Sequence, residues 1–220
     1  MPAMSPFEAA FCRSAPWRLF ARRLVLPWAL RGEEPTGRVL EIGAGSGAMA
    51  AELLAMFEDI TMCVTDYDDA MVAAAADRLA IFGDRVECRQ ADATALPFAD
   101  DSFDTVLSWI MLHHTMAWER ALAEAARVLK PGGRLVGYDL LASRPFELLH
   151  QAEGEEHQMI RCGQLEPALR SLPLEDVRLH VGFGHLVVRF RATGVERSAP
   201  PALESAAERS VFDRMRSDHS

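Results

Sequence analysis

The sequence predicts an α/β fold: an open, mostly parallel sheet with helices on both faces. Three observations carry this. Between residues 38 and 140, short apolar runs alternate with Ala- and Leu-rich runs of helical spacing, the pattern of successive βαβ units. A glycine-rich turn, "VLEIGAGSGAMA" at residues 39–50, links the first strand of that series to its first helix. Near the C-terminus, two strand-like runs are separated only by a short connection around Gly182 to Gly184. A connection that short implies an antiparallel pair, so the sheet is mixed at that end.

The elements follow in order. Residues 6–31 read as two helical pieces punctuated by Pro6, Pro16 and Pro27, the second amphipathic and Arg-flanked. "EEPTG" is a linker or turn. "RVLEI" is a buried strand and "SGAMAAELLAMF" a helix. "DITMCVTD" is a strand, followed by the Ala-rich helix "DAMVAAAADRLAIF", for which Asp68 is the expected N-cap. "RVECRQAD" and "FDTVLSWIM" are strands, "WERALAEAARVL" a helix, "KPGG" a structural turn and "RLVGYDL" a fifth strand. From Pro145 the pattern loosens into a polar, partly helical stretch; "DVRLHVGFG" and "HLVVRFRAT" are the terminal strand pair. After Gly194, Leu203, Ala207, Val211 and Met215 recur at i, i+4 spacing, which fits a short docking helix or a frayed terminus. The expected organisation is an N-terminal helical cap over 1–35, a main domain over 36–194 and a tail over 195–220.

Composition narrows the function classes. The chain has 220 residues, half of them hydrophobic, with a net charge of -9. No Lys/Arg-rich stripe runs along the sequence to neutralise phosphates, which argues against nucleic acid. Lys130 is the only lysine. Cys12, Cys63, Cys88 and Cys162 form no CxxC, so neither a metal site nor a disulfide framework is expected, and Cys63 and Cys88 fit buried thiols in strands. Without a signal-peptide pattern or a membrane-spanning run, the expected location is the cytoplasm. The Arg22/Arg23 helix permits contact with an anionic membrane surface, although burial of its apolar face on the domain is the simpler expectation.

The glycine turn is the main chemical signal. It puts backbone N–H groups and the positive end of a helix at the carboxyl edge of the sheet, the usual binding crevice of such folds. Gly43, Gly45 and Ala48 satisfy the relaxed GxGxxG/A spacing, so a dinucleotide competes for the site. An acid at the end of the second strand, Asp66, suits any ligand with a ribose diol. Glu41 discriminates. A carboxylate two residues before Gly43 repels a pyrophosphate and attracts an ammonium or sulfonium. The ligand that fits is cationic and free of phosphate.

With these residues in hand, the sequence resembles the class I S-adenosylmethionine-dependent methyltransferases of the small-molecule type. The likeness is strongest over residues 36–140, where "VLEIGAGSGAMA", "VTDYD", "ADATALPFADDSFDTVLS" and "RVLKPGGRLVGYD" occur in family order. It implies a Rossmann-like, seven-stranded sheet with the last strand antiparallel, S-adenosyl-L-methionine as cofactor and a small-molecule methyl acceptor as substrate. It also implies roles. Glu41, Gly43, Ala44, Gly45 and Gly47 would hold the methionine end and shape the loop. Asp66 would accept from the ribose hydroxyls, with Tyr67 beside the adenine. Asp92 would receive the adenine amino group and Ala93 would supply a backbone contact. Ser108 and Trp109 would border the transferred methyl. Capping of the following helix or turn is the alternative use of Asp66 and Asp92; with Asp68 as the N-cap, Asp66 is left free.

In-line methyl transfer needs alignment, exclusion of water and, for a hydroxyl or protonated amine, a base. His113 and His114 follow the fourth strand and are candidates for that base, or for packing and capping. As sequence neighbours they should diverge, so they do not read as a metal site. Tyr138 and Asp139 end the fifth strand and are candidates for substrate contact. Phe7, Phe11, Trp17 and Trp109 are candidates for pocket walls. Two competitors stay open: a nicotinamide-dependent oxidoreductase, which lacks a Tyr-x-x-x-Lys pair here, and a non-enzymatic cofactor-binding scaffold.

Overall fold

The structure is a computed structural model, and it describes residues 21–143, 160–182 and 184–195. The expected wall residues Phe7, Phe11 and Trp17, the thiol of Cys12, residues 144–159 and the tail stripe from Leu203 to Met215 lie outside the described residues.

A seven-stranded sheet organises the chain, in the order β3-β2-β1-β4-β5-β7-β6. Its strands are β1 (Arg38–Ile42), β2 (Thr61–Asp66), β3 (Val86–Gln90), β4 (Phe103–Trp109), β5 (Leu129–Leu140), β6 (Leu174–Gly182) and β7 (Val187–Gly194). β1 to β5 pair in parallel, and β7 runs antiparallel to both β5 and β6. The expected mixed sheet with its last strand reversed is therefore present. The strand order reverses direction at β1, which lies between β2 and β4. The carboxyl ends of β1 and β4 thus form a topological switch point, where ligands of open α/β sheets bind.

Period-2 alternation divides the core between the two faces. Val39, Met62, Val64, Leu107, Trp109, Val136 and Tyr138 pack on one face. The helices there are α1 (Leu26–Leu30), α2 (Ala48–Met56) and α3 (Asp69–Leu79). Leu40, Ile42, Val106, Leu135 and Phe190 pack on the other, under α4 (Trp118–Val128) and α5 (Leu165–Arg170). α4 buries Trp118, Ala121, Leu122, Ala125, Ala126 and Val128 at the 3–4 spacing of an amphipathic helix. Asp68 caps α3 as expected, accepting from the Ala70 N–H at 2.8 Å.

α1 follows a π-helical turn (Ala21–Val25) and buries Leu26, Ala29 and Leu30 against the sheet. α1 thus buries these three residues on the domain, while Leu24 just before it is exposed. Among the described residues, no helix is long and apolar enough to cross a membrane.

One element departs from expectation. "KPGG" is not a turn before a strand; it lies within β5. Phe103 pairs with Leu129 and Thr105 with Arg134, so two steps on β4 span five on β5. The extra residues form a bulge, with Gly132 at φ +72°. Lys130 closes its base by an ion pair to Asp104 at 2.8 Å.

Candidate active site

The first wall of the crevice is the turn between β1 and α2. Gly43, Gly45 and Gly47 have φ of +64°, +54° and +70°, values that L side chains rarely adopt. Gly43 is also a close approach: a Cβ there would lie 2.6 Å from the Met111 Cβ. The turn is tied to β2 by the Ala44 N–H to the Thr65 carbonyl at 2.9 Å.

Asp66 is not free, contrary to the sequence expectation. One carboxylate oxygen accepts from the Gly45 N–H at 2.7 Å, and the other from the Asp68 N–H at 3.0 Å. Asp66 therefore clamps the glycine turn to the end of β2. A carboxylate offers about four lone-pair sites, so these two bonds leave capacity for a ligand hydroxyl. Burial raises its pKa against the lowering effect of the two N–H donors.

Glu41 shares the α2 face of the sheet with Val39, and alternation places Asp66 there with Met62 and Val64. Glu41 is 1% exposed, and its Oε2 has no hydrogen-bond partner. Burial, and secondarily the Asp66 charge, push its pKa up to about 8. A buried carboxyl in this state lacks a cation. Two more buried polar atoms at the end of β4 are also without partners, Ser108 Oγ and Trp109 Nε1. Ile42 and Ser108 are register partners, so these atoms border the switch point.

The outer edge is more open. Tyr67 is 45% exposed, and its carbonyl accepts from Gln90 Nε2 at 3.0 Å. Asp92 is exposed, and Ala93 is buried. Asp92 Oδ1 accepts from both the Thr94 N–H and Oγ1 at 2.8 Å, so the capping role holds for that oxygen.

After β4 the chain turns sharply. Ile110 has φ +50°, a strained conformation for a β-branched residue that costs about 1–3 kcal/mol. The turn brings Met111 over Gly43 and starts the 3₁₀ turn Leu112–His114. That turn separates the two histidines. His113 is 1% exposed, and its Nδ1–H donates to Asp139 Oδ1 at 2.6 Å. Asp139 also accepts from the Leu112 N–H at 2.8 Å and the Leu140 N–H at 2.7 Å. His114 is half-buried. The rings do not diverge as expected; their centroids lie 3.9 Å apart. Asp139, expected as a substrate contact, is fully buried and committed to these three donors. Tyr138 is buried between Trp28 and Trp109, with centroids at 5.6 and 5.4 Å.

The sequence reading did not include the Asp66 clamp, the His113–Asp139 pair, Met111 over Gly43 or Trp28 against Tyr138. The signal for the histidine pair lay in the topology: neighbouring parallel strands bring their carboxyl ends together, so Asp139 of β5 meets the loop after β4.

Residues 40–137 match the family model of a methyltransferase domain. Over that stretch the chain is similar to methyltransferase domains. It is 42% identical over 120 residues to a demethylmenaquinone methyltransferase of Clavibacter sepedonicus, covering 54% of this chain and 45% of that protein. It is 33% identical over 175 residues to a 27-O-demethylrifamycin SV methyltransferase of Amycolatopsis mediterranei, covering 78% of this chain and 61% of that protein. The chain thus spans roughly half the length of these curated relatives.

Among solved structures, the fold matches phosphoethanolamine N-methyltransferase 2 of Haemonchus contortus bound to S-adenosyl-L-methionine. The TM-score is 0.66 at 18% identity, over 79% of this chain and 53% of that one. It also matches the [4+2]-cyclase SpnF with a TM-score of 0.67 at 22% identity, over 84% and 85%. At these identities the likeness concerns the fold alone.

The ligand of the Haemonchus contortus structure is S-adenosyl-L-methionine. The crevice fits it on its own chemistry. Glu41 is a buried acid in need of a cation, and Gly43 leaves room where a side chain would collide.

Proposed function

We propose that the protein transfers a methyl group from S-adenosyl-L-methionine to a small-molecule acceptor by in-line displacement. The observation that carries this reading is Glu41, an uncompensated buried carboxyl at the switch point. A sulfonium or ammonium beside it restores the missing charge, whereas a pyrophosphate would add to the repulsion.

Each residue has a part. Glu41 faces the cationic methionine end, and Gly43, Ala44, Gly45 and Gly47 let that end approach the backbone. Asp66 accepts from the ribose hydroxyls while it holds the turn through Gly45. Tyr67 offers its exposed ring to the adenine. Asp92, through the oxygen not spent on Thr94, takes the adenine amino group, with Ala93 at its side. Ser108 and Trp109 border the methyl. The cofactor supplies, when bound, a methyl group on a sulfonium that a nucleophile displaces. The protein's share is alignment and exclusion of water.

The two histidines divide the remaining work. His114, half-buried, is the base for an acceptor that loses a proton. His113 positions it: Asp139 fixes the Nδ1–H tautomer and the ring lies tilted against His114. The functional unit is the sheet domain over 36–194 with the N-terminal helical segment as its cap.

The test is binding first and transfer second. S-adenosylhomocysteine should raise the unfolding midpoint of the full chain and NADH should not. A shift with NADH alone overturns the reading in favour of an oxidoreductase. Labelled S-adenosyl-L-methionine is then offered with oxygen, nitrogen and carbon acceptors, including a demethylmenaquinone and a 27-O-demethylrifamycin. Binding without transfer to any of them favours a scaffold.

A further inference from the structure

A second cleft lies on the α1 face of the sheet, beyond the crevice. It encloses about 330 Å³ between α1, the segment after it, and strands β5, β7 and β6. Arg31, Arg178, His180, Arg189 and Arg191 line it, with Glu33. A smaller continuation adds Arg134 and Asp176.

The register builds this cluster. Val136 pairs with Arg191 and Arg191 with Arg178, while Tyr138 pairs with Arg189 and Arg189 with His180. Directly paired residues share a face, so two basic pairs stand side by side on neighbouring strands. Arg191 and Arg178 are like charges, and like charges so placed destabilise a sheet unless something neutralises them. Five arginines here face two acids, in a chain whose net charge is -9. Glu33 pairs with Arg191 and, at 3.4 Å, with Arg134. Arg189 is held in place by the Trp28 carbonyl at 2.6 Å. Burial and the neighbouring Arg31 lower its pKa from the ordinary arginine value. Arg31 and Arg178 make no ion pair among the described residues.

We propose that this cleft binds a multiply charged oxyanion of the phosphate type, a phosphate monoester or diphosphate, at a site separate from the methyl-transfer crevice. Several guanidinium groups converging on one concavity match such an anion, because each can donate two parallel hydrogen bonds to it. A single carboxylate would leave most of the surplus charge unanswered. The rings of Trp28, Tyr138 and Trp109 run in contact from α1 to the end of β4. The inference rests on the arginines and does not depend on the methyl-transfer reading.

The experiment follows thermal unfolding of the full chain with millimolar pyrophosphate against sodium chloride of equal ionic strength. Pyrophosphate should raise the midpoint by about 2–4 °C beyond the chloride control. Arg178→Gln and Arg31→Gln should each reduce that shift while keeping the full response to S-adenosylhomocysteine. A parallel arm measures flotation with phosphatidic acid vesicles, which present a phosphate monoester, against phosphatidylcholine vesicles. A pyrophosphate shift marks a free phosphate compound as the source; flotation on phosphatidic acid alone, lost in Arg178→Gln, marks a lipid headgroup. Equal shifts in chloride and pyrophosphate with no flotation overturn the proposal. So does an anion response that both variants retain in full.

Discussion

At the scale of single residues, a Glu41 that faces the cofactor as proposed should couple cofactor binding to pH. Its pKa is raised from 4.5 to about 8, so between those values the folded chain holds a proton that the unfolded chain has released. Stability of the ligand-free protein therefore falls as pH rises through this window. A cation beside Glu41 favours its ionised form, so binding expels the proton. Affinity for S-adenosyl-L-methionine should rise across the same window, by at most about tenfold per pH unit. Calorimetry at pH 7 in buffers of different ionisation enthalpy should register the released proton. Glu41→Gln should flatten both pH profiles; a flat profile in the unaltered protein would remove Glu41 from the site.

The histidines allow a second residue-scale contrast. His113→Ala leaves the buried Asp139 carboxylate without its ring donor, which should cost about 3–5 kcal/mol in denaturant unfolding. His114 is half-buried, so His114→Ala should change stability by less than about 1 kcal/mol. If His114 is the base, turnover on the acceptor should fall about 10²- to 10⁴-fold with cofactor affinity kept. Unchanged turnover would assign His114 to packing.

At the scale of elements, the decisive unit is the pair of loops that meet at the switch point. Gly43→Ala puts a Cβ at φ +64° and 2.6 Å from the Met111 Cβ. It should cost about 1–3 kcal/mol and weaken cofactor binding. Adding Met111→Ala should relieve the collision but not the backbone strain, so stability returns only in part. Thermal unfolding of both variants, with Met111→Ala alone as the reference, checks this; full recovery in the double variant would mean that φ carries no penalty here.

Element order and type were legible because the strands are apolar runs and the helices are periodic. β5 was not read whole, because Pro131, Gly132 and Gly133 are local breakers. Pairing with β4 and β7 overrides them and turns the expected turn into a bulge. The strain at Ile110 was equally hidden, since no β-branched residue signals a positive φ.

At the scale of the whole molecule, sequence reading is strongest where chemistry is local. "VLEIGAGSGAMA" carries its loop geometry in its own glycines, and Glu41 lies within it. The Asp66 clamp, the His113–Asp139 pair and the arginine cleft each join residues more than twenty positions apart. No local pattern encodes them, because strand order decides which ends meet. The arginines make the point best: spread from Arg31 to Arg191, they form no stripe in the chain, yet three adjacent strands and the end of α1 gather them around one cleft.

The thiol of Cys63 turns this architecture into a measuring device. It sits on β2, 2% exposed, with its pKa pushed up to about 12 chiefly by burial. An alkylating reagent needs the thiolate and needs access, so it should reach Cys63 only when the sheet opens, while the exposed Cys162 reacts at once. Opening becomes rarer as ligand binds the closed form, by the factor 1 + [L]/Kd. The rate of Cys63 modification, read by peptide mass, should therefore drop as S-adenosylhomocysteine is added while that of Cys162 stays constant. Cofactor affinity then follows from a ratio of two rates, before the methyl acceptor has been identified.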